Sequence, residues 1–466
     1  MSTPHSTLKC VSPVDGSVYV ERPYASDASI NDALDRAAAC QARWRRTPIA
    51  DRAALCSAMV EAFVAKSETH AEEIARQMGR PVRYGAGEVN GFADRARHMI
   101  SIAPDALADI PAGDKPGFDR FIRREPLGVV FVIAPWNYPY LTAVNSIVPA
   151  IMAGNAVILK HASQTPLCGE RIAEAFAAAG APDGLFQVLH MTHDQATRMI
   201  AEPRIGFVAF TGSVAGGVAM EQAAAGRFIG LGLELGGKDP AYVRADANLA
   251  HAIENVTDGA FFNSGQSCCG IERVYVHADV YDDFVAGTAH LVGQYVLGNP
   301  LDTATTLGPM VRTSAAGFVR GQIKDAVAQG AVPLIDAKAF AIDDPKGPYL
   351  APQVLINVDH SMRVMTEETF GPAVGIMKVA DDDEAVDLMN ASEFGLTASI
   401  WTADADAARR IGDRVETGTL FMNRADYLDP ALAWTGVKNS GRGCTLSRLG
   451  YDHLTRPKSF HLRTEI

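Results

Sequence analysis

Seven cysteines are spread over 466 residues, and only the neighbours Cys268-Cys269 stand together. No C-x-x-C occurs, and adjacent cysteines rarely bond to each other comfortably, so neither a disulfide framework nor a zinc site is supported and no metal is expected. No uninterrupted apolar run reaches membrane length, and Met1–Lys9 is polar where a signal peptide would carry its apolar centre. Positive charge is in deficit, 42 Lys+Arg against 54 Asp+Glu, formally −12. That balance disfavours nucleic acid and anionic lipid as partners, and no basic run or basic–aromatic interleaving restores either. Internal repeats and low-complexity tracts are missing too. So is an intact G-x-G-x-x-G after a strand: Gly230-Leu231-Gly232 and Gly85-Ala86-Gly87 have the wrong spacing. What these absences leave is a reduced, cytoplasmic, soluble enzyme. With 48% hydrophobic residues, a chain this long can bury more than one core.

Two helical patterns open the chain after a turn at Ser12–Gly16. Ile30, Ala33, Leu34, Ala37 and Ala38 share one face behind the start signal Ser26-Asp27, and Leu55, Met59 and Phe63 recur at four-residue spacing. From Gly128 onward short apolar runs alternate with helix-like segments. The runs are Val129–Ile133, Ala156–Leu159, Leu185–Leu189 and Gly206–Phe210; the helices lie near Thr142–Ala153, Pro166–Ala179 and His193–Ala201. This alternation implies right-handed crossovers and a parallel sheet. It restarts after Gly237 with Ala241–Val243, Arg273–Val276, Val374–Met377 and Thr397–Trp401. The expectation is an α/β protein with two doubly wound parallel-sheet domains meeting near Gly236-Gly237. Asp105–Glu125 fits neither; its alternating end Phe118–Arg124 and the tail Ser459–Ile466 read as edge strands, an ordinary surface hairpin being the plainer alternative.

Chemistry concentrates in three places. In Phe261-Phe262-Asn263-Ser264-Gly265-Gln266-Ser267-Cys268-Cys269 a cysteine follows a helix-like run directly behind a glycine turn, the kind of backbone setting that stabilises a nucleophilic thiolate. Leu233-Glu234-Leu235-Gly236-Gly237-Lys238 sets a carboxylate beside two glycines, and Pro135-Trp136-Asn137-Tyr138-Pro139 offers an amide donor in a rigid turn. Nucleophile, base and oxyanion donor together describe acyl chemistry at a cysteine. A buried inert thiol is the alternative for Cys268, a surface carboxylate for Glu234, a purely structural turn for Asn137.

These segments closely resemble the signature motifs of the aldehyde dehydrogenase superfamily, over about Val11 to Phe460. Gly265-Gln266-Ser267-Cys268 matches its cysteine motif and Glu234–Lys238 its glutamate motif, with Pro-Trp-Asn at 135–137 and Glu-Glu-Thr-Phe-Gly-Pro at 367–372 around them. The resemblance implies a Rossmann-like cofactor domain over 1–104 and 125–236, a catalytic domain over 237–438, and an oligomerisation arm from 105–124 and 453–466 that would build a homodimer or homotetramer. It implies that Cys268 attacks an aldehyde, that Asn137 holds the oxyanion, and that Glu234 activates water. Glu234 favours hydrolysis over transfer to coenzyme A, because acyl-transferring members commonly lack it; Cys269 is expected to pack or tune. One departure stands out. Where the family reads Lys-x-Ser-Gly-x-Gly-Arg-Glu, this chain ends its motif with Cys444-Thr445, which leaves open how the water-activating site is supported.

For a dinucleotide the better candidate is Phe210-Thr211-Gly212-Ser213-Val214-Ala215-Gly216-Gly217, between a strand and a helix running to Ala225. Amide groups and the helix dipole at such a start attract a pyrophosphate, and the place matches the family's turn for that group, with Gly212, Ser213 and Gly217 as contacts. The resemblance adds Trp136, and sets Lys160 against the adenosine ribose and Glu368 and Phe370 against the nicotinamide side. Many relatives pair the lysine with a glutamate three residues on; here Ser163 stands there. A carboxylate would repel a 2′-phosphate and a hydroxyl would not, so NADP is expected to be accepted or preferred, with NAD still usable. By the same resemblance Tyr138, Thr142, Asn145, Phe262 and Trp434 line the substrate funnel, their rings favouring an aldehyde with an apolar portion. Leu159–Ser163 is reminiscent of short bacterial semialdehyde dehydrogenases, which makes succinate semialdehyde the second candidate. Arg448 and Ser447 could hold its distal carboxylate, or Arg448 could be a solvated surface charge.

Overall fold

The structure is a computed structural model, and it describes residues 7–425 and 427–466. Two parallel sheets carry the architecture. The first contains β1 (Val129–Ala134), β2 (Ala156–His161), β3 (Phe186–Val188), β4 (Ile205–Thr211) and β5 (Gly230–Glu234). Its order is β5-β4-β1-β2-β3, with a short antiparallel strand Gly441–Arg442 outside β5. β1 to β3 wind one way and β4 and β5 the other, so the strand order reverses between β1 and β4. In open α/β sheets that reversal, at the carboxyl ends of the strands, is where ligands bind.

The apolar runs become strands because they are wrapped on both faces. Every residue of β1 and β2 is buried, which is why neither run alternates in polarity. Helices Asp27–Trp44, Ile49–Val64, Ser67–Met78 and Gly85–Ala106 precede the sheet, and their apolar stripes form cores with it. Ser26 caps the first of these helices, its Oγ accepting from Ser29 N–H.

The second sheet comprises β6 (Asp239–Val243), β7 (Ile271–His277), β8 (Gln353–Ile356), β9 (Ala373–Val379), β10 (Thr397–Trp401) and β11 (Thr419–Met422). They run parallel in the order β8-β9-β7-β6-β10-β11, with an antiparallel edge strand Val332–Pro333 beyond β8. The α/β reading of the sequence therefore holds in both halves, with the run at 185–189 shortened to Phe186–Val188. A separate antiparallel ribbon pairs Phe118–Pro126 with Thr455–Arg463 along nine register positions, the short Ile110–Pro111 completing it. Stacked Phe121 and Phe460 rings lie across it, 4.5 Å between centroids. The tail strand starts at Thr455, earlier than the sequence pattern indicates, and stops at Arg463. Among the described residues no helix is long and apolar enough to cross a membrane.

The two sheets are joined at one short link. β5 ends at Glu234, Leu235–Lys238 follow, and β6 begins at Asp239. Carboxyl ends of the first sheet therefore face amino ends of the second, where the turns before β7 and β9 deliver Cys268 and the segment Glu367–Pro372.

Candidate active site

Cys268 sits at that meeting line. Helix Leu249–Phe261 ends in a tight turn in which Asn263, Ser264 and Gly265 adopt left-handed φ of 56°, 56° and 69°. Two consecutive non-glycine residues in that region cost energy and persist only when their surroundings hold them. They are held: Ser264 Oγ donates to Gly308 O at 2.8 Å, and Asn263 Nδ2 donates to the carbonyls of Asn137 and Gln266. Gln266 closes the loop, accepting from Val311 N–H at 2.8 Å. The thiol that follows is half-buried, whereas Cys269 is buried beside Ser267, Sγ to Oγ 3.6 Å.

A buried ion pair organises the facing turn. Arg80 and Glu88 pair with side chains only 2% and 0% exposed. Arg80 also donates to Asn137 O at 2.7 Å and Asn263 Oδ1 at 3.1 Å, and its guanidinium stacks 4.3 Å above the Tyr138 ring. Glu88 Oε1 accepts from Tyr140 and Leu141 N–H at 3.0 and 3.1 Å, capping the helix Pro139–Met152. One pair thus ties the Pro-Trp-Asn turn to the cysteine loop, and every arm of it ends on a partner. The Asn137 side chain donates from Nδ2 to Gln266 O at 3.1 Å.

Two cavities meet at the sulfur, and Cys268 and Thr211 line both. The first, about 300 Å³, is walled by Tyr138, Thr142, Asn145, Phe262 and Trp434, which brings together all the residues expected of a funnel. Glu234 lines it as well, together with Arg80 and Arg95, which the sequence reading did not include. Arg95 is buried and donates to Leu141 O at 2.7 Å and Asn145 Oδ1 at 3.3 Å. Arg448 is exposed and turned to Asp105 O at 3.5 Å, outside the residues that line the cavity.

The second cavity, about 430 Å³, is lined by Trp136, Asn137, Gly212, Ser213, Glu368 and Phe370, with Arg312 and Phe318 at its far side. Its donors and surfaces suit a dinucleotide. Ser213 Oγ caps helix Val214–Ala224 by accepting from Gly216 N–H, leaving earlier amides of the first turn for an anion. The Trp136 and Phe370 rings lie edge to face at 5.7 Å and give an apolar wall. Three expected contacts fall outside this lining. Gly217 is buried within the helix, where a Cβ would come 2.8 Å from Leu235. Lys160, the last residue but one of β2, lies in register with Ile133 of β1 and is buried, which lowers its ammonium pKa. Ser163 lies exposed in the turn beyond it.

Close packing between strands and loops explains the glycine pair of the glutamate motif. A Cβ on Gly236 would fall 2.4 Å from Glu368 Oε1, and one on Gly237 2.4 Å from the Cys268 carbonyl. Gly237 N–H donates to Glu368 Oε1 at 3.0 Å. Burial, with Glu272 nearby, pushes the Glu368 carboxyl up to about 7. Lys238 points away from both cavities; its ammonium, fully buried, meets Glu272 Oε2 at 2.7 Å and Thr369 Oγ1 at 2.8 Å. Glu272 accepts in turn from the N–H groups of Thr369 and Phe370, fixing the loop before β9. Ser440 anchors the C-terminal motif, donating to Gly236 O at 2.7 Å.

Glu234 closes β5. Thr445 Oγ1 donates to its Oε1 at 2.5 Å and Thr211 Oγ1 to its Oε2 at 3.3 Å. Burial raises its pKa, and these hydroxyls and Arg95 pull it back. Among the described residues no cluster of His, Cys, Asp and Glu could hold a metal ion.

Sheet order, strained cysteine loop and paired cavities form one arrangement, and the family model for the aldehyde dehydrogenase family matches residues 1–460. The chain belongs to that family. Among its relatives, the succinate-semialdehyde dehydrogenase [NADP(+)] 1 of Mycobacterium tuberculosis is 34% identical over 448 residues, covering 95% of this chain and 97% of that protein. The 3,6-anhydro-alpha-L-galactose dehydrogenase of Streptomyces coelicolor is 34% identical over 472 residues, covering 99% and 94%. The crystal structure of succinic semialdehyde dehydrogenase from Streptococcus pyogenes with NADP+ superposes with a TM-score of 0.93 at 28% identity, covering 98% of this chain and 100% of that one.

Proposed function

We propose that the protein oxidises an aldehyde to its carboxylic acid with NADP or NAD, using Cys268 as nucleophile and Glu234 as base. The observation that carries this reading is the placement of one half-buried thiol on the wall shared by an aromatic-lined cavity and a dinucleotide-sized cleft. The Cys268 thiolate bonds to the aldehyde carbon as the C=O π pair moves to oxygen, and the oxyanion is stabilised by the Asn137 amide and the Cys268 N–H; such a donor contributes about 3 kcal/mol. A nicotinamide held beside Trp136 and Phe370 would supply the two-electron acceptor for the hydride that leaves this carbon. A thioester then remains on Cys268. Glu234 takes a proton from water as the water oxygen bonds to the acyl carbon, the C–S bond breaks, and thiolate and acid are released.

Trp136, Gly212, Ser213, Glu368 and Phe370 would hold the dinucleotide. Lys160 and Ser163 would support its adenosine half from the carboxyl edge of the first sheet, while Gly217 lets the helix behind the pyrophosphate turn pack closely on Leu235. NADP is favoured because Ser163 puts no carboxylate beside a 2′-phosphate. In the substrate cavity Tyr138, Phe262 and Trp434 suit an apolar segment, with Thr142 and Asn145 as polar contacts. Succinate semialdehyde is the second reading, supported by the names of the relatives and by the Arg95 guanidinium at the cavity wall. The ribbon of 105–124 and 453–466 would serve as an oligomerisation arm in a dimer or tetramer, with 1–104 and 125–236 binding cofactor and 237–438 completing the catalytic half.

Stopped-flow kinetics test the mechanism. Cys268→Ser loses turnover, and Glu234→Gln gives one equivalent of reduced cofactor per site before a steady rate lowered by about 10²- to 10⁴-fold. Steady turnover near wild type in both variants ends the reading. Ser163→Glu should move the NADP-to-NAD ratio of kcat/KM toward NAD by about tenfold or more, one repulsive contact of roughly 1.4 kcal/mol.

A further inference from the structure

Thr445 stands where the family motif carries a carboxylate, and the substitution changes what Glu234 touches. A glutamate there would set like charges together; a hydroxyl donates instead. Its bond to Glu234 Oε1 is the shorter of the two that hold this carboxylate, 2.5 Å against 3.3 Å from Thr211. Thr445 is itself pinned: its N–H and C=O both bond to Trp434, at 2.9 Å each, in an antiparallel bridge. Trp434 is a wall of the substrate cavity. A small cleft opens behind the carboxylate, lined by Thr211, Arg442, Cys444, Thr445 and His453. Glu234 therefore spans the partition between substrate cavity and rear cleft, and the hydroxyl of Thr445 fixes one of its oxygens there.

We propose that Thr445 is a positioning residue for the deacylation step, its hydroxyl holding Glu234 as a charged acceptor turned toward the thioester on Cys268. The proposal rests on the reading of Glu234 as base. A donor aimed at the carboxylate favours its anionic form, which alone can take a proton from water. The charged and titratable groups that share cavities with Glu234 are Arg95 and Glu88 in the lining of the substrate cavity, Cys444 beside Thr445, and Arg442 and His453 in the rear cleft; of these Arg95 and Cys444 couple to it. None of them takes the place of the short bond from Thr445.

The test is Thr445→Val, which keeps the shape and removes the hydroxyl, with Thr445→Ala as a second apolar variant and Thr445→Ser as the conservative one. In both apolar variants steady-state kcat falls about ten- to thirtyfold, the worth of one hydrogen bond to a charged group, while the first-turnover burst of reduced cofactor persists. The acid limb of the kcat–pH profile moves to higher pH, because the lost donor disfavours the anion. Thr445→Ser restores both. Added to Glu234→Gln, Thr445→Val causes no further loss. A kcat within twofold of wild type, an unmoved acid limb, failure of Ser to rescue, or independent losses in the double variant overturns the proposal. A wild-type chain that shows no burst with any aldehyde removes the underlying reading instead.

Discussion

The proposed nucleophile and the proposed base are held in opposite ways. Around Cys268 and Asn137 the grip is ionic, buried and multiply connected: Arg80 and Glu88 have almost no exposure and reach both loops. Around Glu234 two neutral hydroxyls suffice, with Arg95 acting at a distance. The difference matches two demands. In the proposed roles a thiol and an oxyanion donor need one fixed geometry, whereas the proposed base needs its carboxylate oriented by donors that leave its charge to it. Buried charge is costly and rigid; hydroxyl contacts are cheap to break.

The sharpest way to break the comparison is Arg80→Leu. It leaves Glu88 charged and buried without its partner, and should cost about 3–5 kcal/mol of stability, read as a large fall in Tm with activity lost alongside. A Tm near wild type would show that the ionic grip is dispensable. Next comes Asn137→Ala, which removes the side-chain amide and leaves the Arg80 bond to the Asn137 carbonyl. It should lower kcat by about 10²- to 10³-fold, with little change in Tm. A matching loss of stability would make the residue structural.

A smaller effect probes the charge on Glu368. Its folded-state carboxyl is raised to about 7 from 4.5, so the native state binds the proton more tightly than the unfolded chain. Stability is therefore fully present below pH 4.5 and declines as pH rises toward and through 7. Glu368→Gln removes that decline while keeping an oxygen for Gly237 N–H. The variant should gain roughly 1–2 kcal/mol over wild type at pH 8 and nothing at pH 4. Thermal melts across that range decide; parallel curves for the two proteins would refute it.

Much of this was legible in the sequence, though unevenly. Strand–helix alternation located both sheets because fully buried parallel strands are short apolar runs between helices. Cys268 and Glu234 announced themselves by glycine-flanked motifs. The Arg80–Glu88 pair did not, since its partners come from segments whose approach only the fold sets. A signal was present all the same: Glu88 and Arg95 fall on the buried stripe of Val89, Phe92, Ala96 and Met99 in one helix, and charge on an apolar stripe needs a partner. Glu272 and Arg273 interrupt the otherwise apolar β7 in the same way. Lys238 sits inside a recognisable motif yet serves the loop before β9, a role its spacing could not reveal. Gly217, read from the sequence as part of the dinucleotide turn, is buried in its helix against Leu235, a close approach that spacing alone does not show.

Each cavity has a half-exposed ring in its lining, Tyr427 at 43% in one and Phe318 at 44% in the other, and among the described residues only Cys268 and Thr211 line both. On the proposed reading, acid product and spent dinucleotide would leave by separate doors. Neither would then have to wait for the other, and the order of release would follow how tightly each is gripped.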